Sequence, residues 1–311
     1  MLMDKILSIA QVIAPILAAV VLGMVARRRE IMTAQDVRGL QQFVMKFGLP
    51  SVIFNSCLTA DIGAESLTSM VLVLPSVLLG TMWAFRARKG KYPYHNLPQL
   101  FTAQETGMLG IPLFMILFGV DQAYRMGVLD LAQSMTAIPT IAILTAATGE
   151  NVSPAYVIKR VFSSPLMILS LLGLTLNISG VGAWMDSVGL RDVLTESTGF
   201  LGQPISALMI FAVGYNFSLE QENRAVIFRL SMVHFLYFAI WGLAIQGLLF
   251  LVPGVDAGTR WALLLYTLLP ASYLAPTLGR SQEDYTVASG VCSLLTVPAL
   301  IAFCIIAAFV A

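Results

Sequence analysis

The sequence predicts an all-α integral membrane protein with ten transmembrane helices. Three observations carry that expectation. The 311 residues are 58% hydrophobic and only 11% charged, against about 45–50% apolar and 25% charged in a typical soluble domain. The apolar residues come in long runs, each near the roughly 20 residues that cross a bilayer as a helix. Barrel strands would instead show short segments of alternating hydrophobicity.

The spans are expected at 6–26, 36–58, 66–85, 98–119, 122–147, 156–178, 192–217, 226–252, 258–279 and 285–310. Span 1 is too long for a signal-peptide core and runs into Arg27, Arg28 and Arg29, which suits a retained anchor. The links are short and rich in Gly, Pro, Asp and Ser, as at 60–65 and 253–258. With no soluble domain or long linker visible, residues 1–311 are expected to form one membrane domain.

The basic residues orient the spans. One set of loop ends carries Arg27, Arg28, Arg29, Arg38, Arg86, Arg88, Lys89, Lys91, Lys159, Arg160, Arg224, Arg229 and Arg280. The other carries Lys5, Arg125, Arg191 and Arg260. The positive-inside rule then puts both termini on the non-cytoplasmic side, and the expected location is the cell (inner) membrane. The strict alternation supports the count, because one missed span would scramble it.

Composition also excludes functions. A net charge of +1 gives no field to recruit nucleic acid. Cys57, Cys292 and Cys304 lie in apolar runs without metal or disulfide spacing. His95 is expected in a loop; His234, inside an apolar run, reads as a packing residue, with a proton relay as the alternative. No phosphate loop or nucleophile–His pair is visible, so neither an ATP-driven pump nor an enzyme is expected, and no cofactor is implied.

The two halves share landmarks, giving candidate repeats at about 1–150 and 151–311. Pro15 and Gly23 of span 1 have the spacing of Pro165 and Gly173 of span 6. Pro50 matches Pro204, Pro112 matches Pro270, and Pro139 matches Pro298, with Ser134 and Ser293 equally placed before the last pair. The separations drift slowly, as two copies with small loop insertions would give. Five spans per half is odd, so the second copy would enter the membrane inverted. Inverted repeats are typical of secondary transporters, whose sites lie near the midplane at discontinuous helices.

Spans 4 and 9 are the matching interrupted pair. Span 4 reads QETGMLGIP at 104–112, where Gly107, Gly110 and Pro112 weaken the helix. Span 9 reads LPASYLAPTLG at 269–279, with Pro270 and Pro276 flanking Ser272 and Tyr273. Broken backbone in a bilayer persists only where it is buried in protein or lines an aqueous cavity. Its free amides attract anions and its free carbonyls attract cations. The alternative is a pair of kinks that only shape packing.

These residues carry a family resemblance. FVMKFGLPSVIF at 43–54, TGMLGIPL at 106–113 and LLPASYLAP at 268–276 resemble segments of the auxin efflux carrier family, and the likeness runs the length of the chain. That family includes plant PIN-type auxin exporters and bacterial malonate carriers; the long cytoplasmic loop of the plant exporters is absent, which favours a bacterial-type member. The resemblance implies a fold like the bile-acid symporters and sodium–proton antiporters. Spans 1, 2, 6 and 7 would form a scaffold and a homodimer interface. Spans 3–5 and 8–10 would form an elevator-type moving domain that holds a small organic anion at crossed spans 4 and 9.

The chain departs from the family at Glu105, where the usual residue is Asn. A carboxyl group in a span is costly and marks function by default. Desolvation favours its neutral form, so Glu105, with Thr106 beside it, is a candidate proton carrier or cation ligand; the alternative is a protonated Glu that only hydrogen-bonds the freed backbone. Asp130, with Gln133 and Ser134 on the same helix face, would complete a constellation suited to coupling by H⁺, or by Na⁺ held near Glu105 and Asp130. A ring of interfacial polar contacts is the alternative for Asp130. Lys46 would snorkel to the cytoplasmic interface, or pair with a substrate anion or with Glu105. Asn55 and Asn216 follow the prolines of spans 2 and 7 and would line the scaffold side of a cavity or bond neighbouring helices. The competing functional readings are an uncoupled, channel-like facilitator and a sensor built on the same fold.

The orientation is directly testable. Single cysteines at Arg28 and Lys89 should react only from the cytoplasmic side, and those at Glu65 and Asp256 only from outside. Labelling of position 28 by an impermeant reagent on intact cells would sink the topology.

Overall fold

A chain bathed in lipid must pair its backbone polar groups within the protein, and the helix does so within one segment. The computed structural model describes residues 2–60, 64–146, 165–217, 222–252 and 254–310, with Lys159 and Ser163. Among these residues helix dominates, and the β pairing is one isolated bridge. Among the described residues six helices are long and apolar enough to cross a membrane: Ala10–Arg28, Ser66–Ala87, Val120–Leu144, Leu190–Asn216, Arg224–Leu249 and Gln282–Val310. They fall on expected spans 1, 3, 5, 7, 8 and 10. The chain is a multi-pass, all-α membrane protein.

The other four expected spans are helical but shorter or interrupted. Span 2 is Ala34–Phe43 and Leu49–Thr59, joined by a π-helical turn. Its start is fixed by a capping box: the Thr33 hydroxyl accepts from the Asp36 amide at 3.2 Å, and the Asp36 carboxylate accepts from the Thr33 amide at 2.8 Å. Span 4 is Leu97–Thr102 and Thr106–Phe118, and span 9 is Ala257–Leu268 followed by a 3₁₀ turn at Ala275–Leu278. Span 6 is seen at Pro165–Ile178; its expected beginning at 156–164 lies outside the described residues apart from Lys159 and Ser163. A short helix that the sequence reading did not expect, Val181–Ser187, lies between spans 6 and 7.

Spans 2 and 4 share a local device. In each, a π turn sits just before a proline: Val44–Gly48 before Leu49 and Pro50, and Thr106–Gly110 before Ile111 and Pro112. The Leu49 amide bonds the Val44 carbonyl, and the Ile111 amide bonds the Thr106 carbonyl, five residues back in both cases. Proline lacks a donor and presses on the carbonyl four residues before it; the wider turn relieves that clash. Pro112 therefore does not itself break span 4, as the sequence suggested. The break lies a π turn earlier, at 103–105.

Two packed sets of spans follow. Span 1 lies on the second half of span 7 (Ile205–Asn216), and span 6 lies on the second half of span 2 (Leu49–Thr59). Span 3 packs on span 5 and the first half of span 4, while span 8 packs on span 10 and the first half of span 9. His234 of span 8 is enclosed there by Phe101 and Phe238, at centroid distances of 5.3 and 4.7 Å. Glycines bring the first set to backbone contact. A Cβ on Gly23 would strike the Phe211 carbonyl oxygen and the Tyr215 nitrogen of span 7, and one on Gly173 would strike the Phe54 carbonyl oxygen of span 2.

That geometry yields a stability test. Gly23→Ala and Gly173→Ala each push a methyl group into immovable backbone and should cost about 1–3 kcal/mol. Gly39→Ala, with open space at its Cβ, should be neutral or stabilising in its helix. Thermal unfolding in detergent measures all three, and equal behaviour would overturn the close-contact explanation.

Candidate functional site

Spans 4 and 9 each lose their helix, and the two losses meet. In span 4 the helix Leu97–Thr102 ends at Ala103, which is extended at φ −148°, ψ 142°. In span 9 the helix ends at Leu269, whose ψ of 154° is what a following proline enforces. Gln104 and Ala271 then form an antiparallel bridge. The Glu105 amide donates to the Pro270 carbonyl at 2.8 Å, and the Ser272 amide donates to the Ala103 carbonyl at 3.0 Å. Both segments are buried at the pairing, so these bonds replace those that water would make.

Side chains complete the pairing. Gln133 of span 5 holds the Gln104 backbone at both ends: its Oε1 accepts from the amide at 2.8 Å and its Nε2 donates to the carbonyl at 3.1 Å. The Tyr266 hydroxyl also donates to Gln133 Oε1 at 2.9 Å. The Gln104 amide, turned with its nitrogen towards span 9, donates to the carbonyls of Pro270 at 3.0 Å and Leu269 at 3.1 Å. Gly110 admits the crossing, since a Cβ there would meet Leu269 at 2.6 Å and Met126 at 2.8 Å. Gly107 faces Met45 of span 2.

Glu105 ties the two breaks together. Its Oε1 accepts from the Met108 amide at 3.1 Å, in the first turn of the renewed span 4 helix, and its Oε2 accepts from the Tyr273 amide at 2.6 Å. An acidic side chain at a helix N-terminus is favourable because free amides and the helix dipole both point at it. Thr106, beside it, donates through its hydroxyl to Asp130. Asp130 also accepts from Gln133 Nε2 at 2.8 Å, and that nitrogen lies 3.0 Å from the Thr106 hydroxyl oxygen. With Ser134, Asp130 lines a small cavity of about 50 Å³ against Leu166, Met167 and Ser170 of span 6.

The structure thus gathers Glu105, Thr106, Gly107, Gly110, Asp130, Gln133, Pro270, Ser272 and Tyr273 around one crossing. Pro112 begins the helix beyond it, with its carbonyl accepting from Ser206 of span 7 at 3.1 Å. Pro276 is the second residue of the 3₁₀ turn Ala275–Leu278. Asn55 and Asn216 stand apart: Asn55 is buried and accepts from the Thr195 hydroxyl at 3.3 Å, while Asn216 is exposed at the end of span 7. Lys46 is also exposed, as snorkelling requires. Sequence reading missed Gln104, Tyr266 and Thr296, the last of which bonds the Tyr273 hydroxyl at 2.8 Å. Only Gln104 had a signal, its place directly before Glu105. Among the described residues no group of three or more His, Cys, Asp and Glu is placed to hold a metal ion.

A family model described as membrane transport protein matches residues 8–155, which includes the first of the two breaks. An uncharacterized transporter of Methanothermobacter thermautotrophicus is 24% identical over 177 residues, covering 55% of this chain and 58% of that protein. The chain therefore spans less than two thirds of that relative's length.

Gln133 offers the sharpest test of how the break is held. Gln133→Leu keeps the volume but strands the Gln104 amide and carbonyl, each worth about 1–3 kcal/mol when left unpaired. A marked drop in thermal stability is expected. Gln99→Leu should be mild, because the buried Oε1 of Gln99 already lacks a partner. Equal stability of the two variants would show that Gln133 does not hold the break.

Proposed function

We propose that this chain is a secondary active transporter for a small organic anion, a reading supported by the match of residues 8–155 to a family model described as membrane transport protein and by the resemblance to the auxin efflux carriers. The substrate class we infer is a carboxylate such as malonate or an auxin-like acid, carried across the cytoplasmic membrane by elevator-type alternating access. The observation that carries the reading is the paired break, with a carboxylate between its two backbones.

The mechanism follows from what Glu105 occupies. Its two oxygens hold the amides of Met108 and Tyr273, the donors an incoming carboxylate would seek. While Glu105 is ionised it repels such a substrate and competes for the same donors. A proton on Glu105 removes the repulsion and weakens its grip on one amide, so substrate and proton load together. On the other side of the membrane, loss of the proton restores the competing carboxylate and expels the anion. H⁺ suits this site better than Na⁺. The oxygens of Gln104, Thr106 and Asp130 that a Na⁺ shell would draw on already surround Gln133 Nε2.

The packing supports the two-part reading. Spans 1, 2, 6 and 7 would be the scaffold and, by family likeness, the homodimer interface. Spans 3–5 and 8–10 would move with the crossing. The contacts of span 1 on span 7 and of span 6 on span 2 are those an inverted pair of five-helix repeats would make. The matched backbone contacts of Gly23 and Gly173 favour the same view.

Glu105→Gln is the decisive variant. An amide oxygen can still accept from one backbone amide, but its NH₂ cannot accept from the other, and it carries no titratable proton. In proteoliposomes, uptake of labelled malonate and of an auxin-like acid by wild type should follow an imposed H⁺ gradient. The variant should bind and exchange substrate without accumulating it. Unchanged ion dependence in the variant refutes the coupling role, and absence of gradient-driven flux of any tested carboxylate by folded wild type refutes the substrate class.

A further inference from the structure

Away from the crossing, the loop after span 3 and the start of span 10 enclose an open cavity of about 420 Å³. Arg88, His95, Arg280, Ser281, Glu283 and Asp284 line it. Two arginines, Arg88 and Arg280, are among its lining residues, and among the described residues neither forms an ion pair. Arg88 is held in place: its Nη1 donates to the His95 carbonyl at 3.0 Å, and its guanidinium lies 5.1 Å from the Phe85 ring centroid. Burial, and then the nearby charge of Arg280, lower the Arg88 pKa from the usual arginine value. The Arg280 side chain makes no hydrogen bond among the described residues.

Two acids, Glu283 and Asp284, line the same cavity, but neither forms an ion pair with the arginines among the described residues. Asp284 is buried, and its carboxylate accepts from the backbone amides of His95 at 2.9 Å, Arg280 at 2.9 Å and Ser281 at 3.2 Å. It is occupied as a cap at the start of span 10, not as a partner for either arginine. Glu283 is exposed and unpaired among the described residues. Guanidinium groups offer planar forks of donors that match the oxygens of a phosphate, and two such forks on one cavity can grip it from both sides. The volume lies within the usual range of small-molecule sites.

We propose that this cavity is a second anion site, which takes a phosphate group between Arg88 and Arg280. The group can arrive as free phosphate or on the headgroup of an anionic lipid, because the cavity opens where helices end. Its wall is fastened to both interrupted spans. Asn96, just before span 4, donates to the carbonyls of Ala275 at 3.0 Å and Asp284 at 3.1 Å, and Ala275 opens the turn after the span 9 break. Occupancy would brace the backbone leading into the crossing from both sides.

The test uses the full chain in phosphatidylcholine nanodiscs. One arm titrates inorganic phosphate by calorimetry at ionic strength fixed with chloride. The other compares retention of phosphatidic acid and phosphatidylcholine by native mass spectrometry. Wild type should bind phosphate or retain phosphatidic acid, and whichever arm responds names the source. Arg280→Gln should weaken that binding about tenfold or more, and Glu283→Gln, which removes the competing anion, should strengthen it. Arg280 has no structural bond to lose, so its variant should fold; Arg88→Gln is read alongside thermal unfolding. Failure of both probes to bind wild type, or unchanged binding in Arg280→Gln, overturns the proposal. Neither result bears on transport at the crossing.

Discussion

An extended backbone inside a bilayer has to find all its hydrogen bonds in the protein, and the rest of this structure is arranged around that demand. A buried amide or carbonyl left without a partner costs about 1–3 kcal/mol, and here two chain segments abandon their helices in the same place. They answer each other first, through the bridge of Gln104 and Ala271. Gln133, Gln104 and Glu105 then take up what the bridge leaves over. Each is long enough to reach another segment and carries two polar atoms, which is why one side chain can serve two backbone groups.

The same residues make the region chemically active. A carboxylate that completes a helix N-terminus is a structural element while ionised and a weaker one when protonated. Structure and charge at Glu105 are therefore linked through the Met108 and Tyr273 amides. Asp130 is drawn into the network through Thr106 and Gln133, yet it also faces span 6 across a small cavity. It thus lies between the crossing and the spans that pack around Gly173, where relative sliding of the two sets would be felt.

Much of this was legible in the sequence, and the limits have physical causes. Long apolar runs located the helices because lipid leaves the backbone few alternatives. Gly and Pro in spans 4 and 9 marked the interruption, and Glu105 stood out by its charge. What could not be read was where span 4 gives way. Proline acts on the carbonyl four residues back, and here a π turn absorbs that clash, leaving the extended stretch further upstream at Gln104. Tyr266 and Thr296 were invisible because an aromatic or hydroxyl side chain in an apolar helix looks the same whether it bonds a neighbour or merely packs. Asn55 and Asn216 looked equivalent by position after a proline. One is buried and the other exposed, a difference set by neighbouring helices.

The two interrupted spans are not alike beyond their meeting point. Span 4 resumes as Thr106–Phe118, long enough for its peptide dipoles to add, whereas span 9 resumes as the four-residue turn Ala275–Leu278. The partial positive charge of a helix terminus grows from aligned peptides, so only the span 4 side supplies it in full. A pseudo-symmetric frame would then enclose an asymmetric field. On the proposed reading, a substrate with a single carboxylate has one preferred heading, its charged end towards Thr106–Phe118, whichever face of the membrane it entered from. Head-to-tail discrimination would thus be built into the backbone, leaving side chains to set only the size and shape of the remainder.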